Sequence, residues 1–253
     1  PTVLRFMIKE DLSKWDLSAL RWANVAGEPL NPEVYSQFLK ATGVRLMEGF
    51  GQTETTPLLM TNKWMTPRPG STGVPSPQYD IDLINEDGET VDVGEEGEIV
   101  LSGPSVMIGY VDNPEETAQT LRTHADGRVW LHTGDLGKMD EDGFVYFRQR
   151  IKRLIITSGY NVYPSQVENV IDAHEKVLMS CVIGVPDSYR MQRVKAFVVL
   201  RPNILPTPAL KEEILEHCRR NVTKYAMPSD IEFRSELPKT LVGKVAYTVL
   251  EKE

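Results

Sequence analysis

The chain has 253 residues, of which 41% are hydrophobic and 25% are charged, and its formal net charge is −8. These values are those of an ordinary globular protein with one large or two modest domains. Residues 1–150 carry a net charge of −11, which argues against nucleic acid as a partner, whereas residues 151–253 carry +3. This asymmetry indicates two separate units.

The two cysteines, Cys181 and Cys218, are too few for a disulfide framework and lack metal-ligand spacing. Both lie in apolar patterns, so we expect buried thiols in a reducing compartment and a cytoplasmic protein. The chain shows neither a targeting leader nor an apolar run of membrane-spanning length. We therefore expect no transmembrane segment, with peripheral membrane contact left open.

The first predicted elements form a strand–helix–strand unit. An apolar strand over Trp22–Ala26 precedes Asn31-Pro32, a good pair for the start of a helix. The chain returns as a strand over Val44–Phe50. This βαβ order places Gly27-Glu28 and the stretch GFGQTE (49–54) at strand ends, where open α/β sheets bind ligands.

The stretch GFGQTETTP (49–57) combines glycines, hydroxyls and a carboxylate. Glycines let the backbone approach a ligand closely, while hydroxyls and a carboxylate can address phosphate and a hard cation. An ordinary turn after a strand explains the same residues. The stretch RPGSTGVP (68–75) resembles a phosphate loop, but no lysine follows it and a strand pattern comes next, so we interpret it as a turn.

From Gly70 to Phe147 the apolar pattern changes to period two, with turn signals at Asn85–Gly88 and Asp140–Gly143. This pattern predicts a small antiparallel sheet or barrel. The predicted strands are Tyr79–Ile84, Gly97–Leu101, Val129–Leu131 and Phe144–Phe147.

After Arg148 helices and strands alternate, which predicts a compact α+β domain. Ser165-Gln-Val-Glu168 predicts a capping box that opens a helix, and Thr207-Pro208 predicts the start of a second helix. The predicted strands are Leu154–Ile156, Val177–Val185, Val194–Leu200 and Ile231–Phe233.

Six stretches, taken together and in this order, resemble the adenylate-forming superfamily of acyl-CoA synthetases, luciferases and peptide-synthetase adenylation domains. They are AGEPL (26–30), GFGQTETT (49–56), GEIVLSGPSVMIGY (97–110), HTGDLG (132–137), RQRIKRLIITSGYNVYPSQVE (148–168) and LPKTLVGK (237–244). The chain looks most like the medium- and long-chain fatty-acyl-CoA synthetases, and the resemblance covers essentially all 253 residues.

The resemblance implies an α/β and α+β fold. Residues 1–150 would be the end of a large AMP-binding N-terminal domain with an α/β part and a β-barrel. Residues 151–253 would be a small, mobile α+β lid domain. The chain would be about half of a family member, either a fragment or a natural half-length relative, and we expect it to be inactive alone.

The resemblance also implies a nucleotide site for ATP or AMP with Mg²⁺. Thr53 would contact phosphate and Glu54 would hold the cation, in keeping with the preference of hard cations for oxygen ligands. Asp135 would bind the ribose hydroxyls, although alone it is typical of a surface turn. The remaining nucleotide residues implied are Gly27, Glu28 and Pro29 along the purine edge, Phe50 stacked on adenine, Gly49, Gly51 and Gln52 beside it, and Arg150 at the ribose.

The remaining residues implied by the resemblance belong to the lid. Lys152 would be the hinge between two domain placements. Lys244 would reach the substrate carboxylate and the α-phosphate, as a compact point charge can. The loop Ser158-Gly159-Tyr160 would pass the pantetheine arm of coenzyme A, and Arg190 and Arg219 would meet its phosphates.

The chain departs from the family at Asn161, often basic, at Met191-Gln192, often Gly-Glu, and at Ala246-Tyr247, where an arginine is usual. These departures affect the coenzyme A contacts more than the nucleotide contacts.

The implied activity is acyl-AMP formation from a carboxylic acid and ATP, followed by transfer to coenzyme A. An aryl-CoA ligase, an acyl-AMP ligase and a non-catalytic nucleotide- or partner-binding half-protein are the alternatives. The residues present select neither an acyl chain length nor an oligomeric state.

Overall fold

The computed structural model describes residues 2–27, 30, 32–56, 60–63, 68–241 and 243–253, and the chain divides into two units, residues 1–148 and 149–253. The interpretation of these units as the end of a nucleotide-binding domain and a lid domain stays a prediction. No helix within the described ranges is long and apolar enough to cross a membrane.

The first unit begins with the predicted βαβ unit. Strand β1 (Trp22–Val25) is parallel to β2 (Arg45–Phe50), and helix α2 (Pro32–Thr42) connects them, after a short helix α1 (Thr2–Met7). Two short strands, β3 (Met60–Thr61) and β4 (Val74–Pro75), extend the sheet in the order β1-β2-β3-β4. The apolar face of α2 packs on this sheet through buried residues; the cluster is Val25, Leu30, Val34, Phe38, Val44 and Leu46.

A second sheet follows in the same unit, with the order β5-β6-β8-β7 and β9 paired to β8. Its strands are β5 (Asp80–Ile84), β6 (Glu96–Ser102), β7 (Leu121–Thr123), β8 (Val129–Met139) and β9 (Val145–Arg150), with helix α3 (Pro114–Thr120) before β7. Of the sheet and the barrel that the sequence left open, the described strands form a sheet and no closed barrel. The stretch 68–75 ends in β4 and is followed by strand β5 and not by a helix, as predicted.

Strand β8 is much longer than the three residues predicted and contains the whole HTGDLG motif. Glycine and aspartate are depleted in strands, so pattern reasoning ends the strand too early. The strand continues because neighbouring strands pair along both of its edges. Asp135 therefore lies in a strand, and the surface-turn interpretation is wrong.

The second unit is a five-stranded sheet in the order β11-β10-β13-β12, with β14 parallel to β13. Residues on β12 and β13 alternate between two apolar clusters, as period two requires. Helices α4 and α5 cover one face, and the C-terminal segment covers the other. The elements are β10 (Ile155–Thr157), β11 (Tyr160–Val162), α4 (Pro164–Asp172), β12 (Val177–Asp187), β13 (Met191–Leu200), α5 (Pro208–Asn221), β14 (Asp230–Arg234) and α6 (Tyr247–Leu250).

The predicted capping box at Ser165–Glu168 is wrong. The N-cap lies two residues before Ser165, at Tyr163, which makes no side-chain cap bond, and helix α4 begins at Pro164. Proline at the first helical position has its φ already set for the helix. Glu168 instead accepts from the Val182 amide at 2.8 Å. The start of α5 is as predicted, since the Thr207 hydroxyl accepts from the Leu210 amide at 3.1 Å.

Candidate functional site

A buried carboxylate joins two of the motifs in the first unit. Gln52, just after β2, donates from Nε2 to Asp135 Oδ2 at 2.8 Å and to the Thr133 carbonyl at 3.0 Å. Asp135 is only 1% exposed. A buried carboxylate is retained where polar partners, protein or ligand, meet it. The structure thus brings together GFGQTE and HTGDLG.

Asp135 is presented by a bulge in β8. Glu98 and Val100 of β6 face Leu136 and His132 of β8, so one residue of β6 lies opposite three of β8. Within the bulge, the Thr133 hydroxyl donates to the Ile99 carbonyl at 2.6 Å and accepts from the Asp135 amide at 3.1 Å. Bulges of this kind re-aim a side chain beside a functional site.

The residues after Gln52 form a short 3₁₀ turn, Thr53–Thr55. Thr55 is buried and exchanges hydrogen bonds with Gln52, while Thr53 is exposed. Phe50 is 8% exposed and packs in an apolar cluster, with its ring 6.5 Å from that of Phe147. The turn therefore leaves the Thr53 side chain open to an incoming group.

Two residues in the segment that follows β6 donate hydrogen bonds to Glu54. The Tyr110 hydroxyl donates to Glu54 Oε1 at 2.7 Å, and the Met107 amide donates to the Glu54 carbonyl at 2.8 Å. Burial, together with the facing carboxylate, raises the pKa of Tyr110. Ser105 also donates to the Thr55 carbonyl. The motif GEIVLSGPSVMIGY contained Tyr110, but no role for its hydroxyl followed from the sequence.

The donor set at Glu54 fits Mg²⁺ when a nucleotide supplies further oxygens. Within the described ranges, no group of three or more His, Cys, Asp or Glu side chains is arranged to hold a metal. Mg²⁺ takes one or two carboxylates, keeps several waters and completes its shell with substrate phosphates. The single carboxylate of Glu54, with waters and substrate phosphate oxygens, would meet that requirement.

Glu48 joins two of the candidate stretches, a contact that the sequence did not predict. Its Oε1 accepts from the Leu30 amide and its Oε2 from the Gly70 amide, both at 3.0 Å. The carboxylate thus connects the AGEPL loop to the 68–75 turn, and burial raises its pKa. Gly27 has φ +88°, a conformation that favours glycine. Glu28 and Pro29 lie outside the described residues.

In the second unit, the predicted hinge lies in a 3₁₀ turn, Ile151–Arg153, directly after β9. Lys152 is exposed. The side chain of its neighbour Arg153 packs within the second unit. It donates to Glu168 Oε1 at 2.6 Å, and its guanidinium carbon lies 4.9 Å from the centre of the Tyr247 ring. Arg150 is the exposed last residue of β9.

The predicted pantetheine loop follows β10. Ser158 and Gly159 both have positive φ, +51° and +81°, and the Ser158 amide donates to the Arg190 carbonyl at 2.9 Å. Tyr160 stacks on Tyr225 with ring centres 4.6 Å apart. The chain places a methionine, Met191, at φ +66°, where the family often has glycine.

Lys244 is exposed, and three hydrogen bonds link Gly243 and Lys244 to Thr240, one of them from the Lys244 amide to the Thr240 hydroxyl. Gly243 adopts φ +82°. Of the two arginines predicted to meet phosphates, Arg190 is exposed, whereas Arg219 forms ion pairs with Glu212 and Glu216. A phosphate at Arg219 would compete with these two carboxylates.

Two family profiles match the chain. Residues 1–111 match the profile described as AMP-binding enzyme, and residues 166–244 match that of the AMP-binding enzyme C-terminal domain. Together they cover well over half of the chain.

Several curated relatives are acyl-CoA synthetases. The mitochondrial acyl-coenzyme A synthetase ACSM3 of Mus musculus is 41% identical over 260 residues, covering 100% of this chain and 44% of the relative. The long-chain-fatty-acid–CoA ligase of Bacillus subtilis is 44% identical over 237 residues, covering 93% of this chain and 41% of the relative. The chain thus spans less than half the length of these relatives.

Solved structures agree with this similarity. The anthranilate CoA ligase AuaEII in complex with anthranoyl-AMP has a TM-score of 0.83 and 34% identity, covering 98% of this chain and 47% of that chain. ATP-bound MatB from Rhodopseudomonas palustris has a TM-score of 0.79 and 33% identity, covering 90% of this chain and 44% of that one.

Proposed function

This chain belongs to the AMP-binding enzyme family of the adenylate-forming superfamily, and we propose that it is the C-terminal half of an ATP-dependent acyl-CoA synthetase. The observation that carries the proposal is the contact of Gln52 with the buried Asp135, which unites the two motifs that the resemblance assigns to the nucleotide. The similarity to the acyl-coenzyme A synthetase ACSM3 supports an acyl-CoA product, and the similarity to the long-chain-fatty-acid–CoA ligase of Bacillus subtilis supports a fatty acid as substrate.

The reaction has two steps. The carboxylate oxygen of the acid attacks the α-phosphorus of ATP, so that acyl-AMP forms and pyrophosphate leaves. The thiol of coenzyme A then attacks the acyl carbonyl, loses its proton, and displaces AMP. Both steps develop or transfer negative charge, which fixed donors and cations stabilise most effectively away from bulk water.

In the first unit, the residues bind and orient the nucleotide. We assign the ribose diol to the two acceptor oxygens of Asp135 and adenine to the region of Phe50 and Gly27. The exposed Thr53 hydroxyl donates to phosphate. Glu54 would hold Mg²⁺, which neutralises the charge of the transferring phosphoryl group when bound.

In the second unit, the residues serve the two steps in turn. The Lys244 ammonium stabilises the carboxylate and the α-phosphate as they approach each other. Rotation about Lys152 would then exchange this loop for the Ser158–Tyr160 loop, beside which the thiol enters. Arg190 and Arg219 are the candidate contacts of the coenzyme A phosphates.

The test uses a chimera in which the N-terminal segment of a relative precedes this chain. We expect release of AMP from ATP that depends on both a fatty acid and coenzyme A, and none from the 253-residue chain alone. Acyl-AMP and pyrophosphate formation without AMP release on addition of coenzyme A would support an acyl-AMP ligase instead. A chimera that binds nucleotide without pyrophosphate exchange would support the non-catalytic alternative.

An aryl acid is the second candidate substrate, favoured by the similarity to the anthranilate CoA ligase structure. The same chimera, offered fatty and aromatic acids in parallel, separates the two classes by kcat/KM. Because the N-terminal segment contributes to the acid site, the comparison is repeated with segments from a fatty-acid and an aryl-acid relative.

We also propose a reducing compartment, in line with two buried free thiols, and retain the cytoplasm as its location. The ACSM3 relatives carry a mitochondrial designation. Fractionation of the source cells, probed with an antibody to this chain, decides between cytoplasm and organelle.

A further inference from the structure

The bulge that presents Asp135 is held by a carboxylate from the neighbouring strand. Glu98 Oε1 accepts a hydrogen bond of 3.0 Å from the amide of Gly134, the central bulge residue. Gly134 has φ +68°, so the chain turns here through a conformation that other residues resist. Asp135 follows directly, and its orientation depends on that turn.

The second oxygen of Glu98 is paired as well. His132 Nδ1 lies 2.9 Å from Glu98 Oε2, and the two side chains are 5% and 18% exposed. Burial acts to raise the pKa of Glu98, but the bonds from His132 and Gly134 hold it below its ordinary value. The carboxylate therefore accepts both bonds, and the Nδ1 of His132 carries the donated proton.

A second histidine fixes the other nitrogen of His132. His124 Nε2 lies 3.0 Å from His132 Nε2, and the His124 ring stacks on Trp130 with centres 5.3 Å apart. When both rings are neutral, the single N–H of His132 is at Nδ1 and donates to Glu98. His124 Nε2 is then the donor to His132 Nε2. The orientation of the His132 ring is thus set from both sides.

We propose that Glu98 and His132 are positioning residues for Asp135: together they hold the Gly134 amide, and with it the bulge that turns the carboxylate toward the ribose. The inference rests on the proposed function, because it requires a nucleotide at Asp135. Neither residue was a site candidate in the sequence, where Glu98 resembles any acidic residue of an antiparallel strand.

The first test measures binding of AMP and of 2′,3′-dideoxy-AMP to this chain by calorimetry. The dideoxy nucleotide lacks the diol, so the ratio of the two affinities reports the contacts made by the ribose hydroxyls, to which Asp135 contributes the carboxylate. We expect the unmodified chain to prefer AMP by about tenfold or more, as for bonds to a charged acceptor. Glu98→Gln keeps the size of the side chain but places its amide nitrogen against one of the two donors, the Gly134 amide or His132 Nδ1. It should reduce the ratio to about one.

Matched variants separate positioning from general damage. Glu96→Gln changes the same residue type on the same strand, at the partly exposed pair with Arg148, and should leave the ratio unchanged. His132→Asn can still donate a proton near the place of Nδ1 and should keep most of the preference. His132→Phe cannot donate and should lose it.

The second test is hydrogen exchange at the Gly134 amide, which needs no nucleotide. We expect faster exchange at this amide in Glu98→Gln and His132→Phe than in the unmodified chain and His132→Asn, with the rest of β8 unchanged. This readout remains valid where a variant lowers the melting temperature, because exchange at distant amides reports that loss separately.

The outcomes distinguish the two proposals. An unmodified chain that does not prefer AMP overturns the nucleotide part of the proposed function. An unmodified chain that prefers AMP, with Glu98→Gln preferring it equally, overturns the positioning role. Unchanged exchange at Gly134 in both Glu98→Gln and His132→Phe overturns it independently.

Discussion

The side-chain amide of Gln52 donates a 2.8 Å hydrogen bond to the carboxylate of Asp135, which lies 83 positions further along the chain. The same nitrogen donates to the Thr133 carbonyl at 3.0 Å, so one side chain ties the turn after β2 to the bulge of β8. Because Asp135 is buried, this donor offsets part of the cost of removing the carboxylate from water.

Replacing Gln52 with glutamate should destabilise the first unit, because two carboxylates would face each other in a buried site. We expect a loss of about 1–3 kcal/mol at pH 7. The facing acids would have a raised pKa in the folded state, so the folded chain binds the extra proton and the loss shrinks as pH falls toward 5. Urea unfolding at several pH values measures it.

Gln37→Glu is the control for this change. Gln37 donates to Glu33 at 2.7 Å on the exposed side of α2. Gln37→Glu therefore also removes a donor and places two carboxylates side by side, but here both are exposed to water. It should cost only a few tenths of a kcal/mol. Equal losses at both positions would show that burial of Asp135 has no energetic role.

Met191→Gly should stabilise the second unit. A side chain at φ +66° costs about 1–2 kcal/mol, and the gain on removing it is reduced by about 0.4–1 kcal/mol because glycine makes the unfolded chain more flexible. Thermal melting should show a higher Tm. Asn203→Gly, at φ +68°, is the control and should change little, because asparagine tolerates this region. A lower Tm for Met191→Gly contradicts the strain argument.

Both cysteines should resist thiol reagents in the folded chain. Burial raises the pKa of Cys181 to about 12 and that of Cys218 to about 11, so almost no thiolate exists at pH 8. With Ellman's reagent, the folded chain should react only at its rate of unfolding. In denaturant, the absorbance should correspond to two reactive thiols per chain. Ser36→Cys, on the exposed side of α2, should add one thiol that reacts at once. Rapid reaction of the unmodified chain would disprove this burial.

Lys152→Pro should block coenzyme A-dependent release in the chimera while preserving acyl-AMP formation. Lys152 lies in a 3₁₀ turn, whose φ proline matches, so the substitution should lower the melting temperature only slightly, through the restriction that proline places on Ile151. Proline removes the freedom that a rotating hinge needs, whereas Lys152→Ala keeps it and should be mild. Loss of both steps with a strongly lowered melting temperature would assign Lys152 a purely structural role.

Lys244→Ala should slow acyl-AMP formation in the chimera by roughly a thousandfold, because it removes a charge needed in one transition state. Thioester formation from supplied acyl-AMP should change only a few-fold. Lys239→Ala, an exposed lysine on the same C-terminal segment, should leave both steps unchanged. Equal losses in both half-reactions would contradict the assignment.

Local chemistry alone determined much of this protein. The βαβ unit follows from apolar period and from Pro32 at a helix start, and the start of α5 follows from Thr207. These features depend on a few adjacent residues, so the sequence suffices to predict them. The prediction failed at α4, where Pro164 rather than Ser165 opens the helix and Glu168 bonds a distant strand.

Only the tertiary structure decided how the candidate site is built. By its residue type Asp135 resembles a turn aspartate, and it becomes a buried acceptor because β8 bulges against β6 and Gln52 reaches it. Glu48 and Glu98 resemble surface acids of strands, yet each binds backbone amides from other segments. No local pattern encodes such contacts. Burying a carboxylate costs free energy, and the hydrogen-bond donors that offset this cost lie far away along the chain.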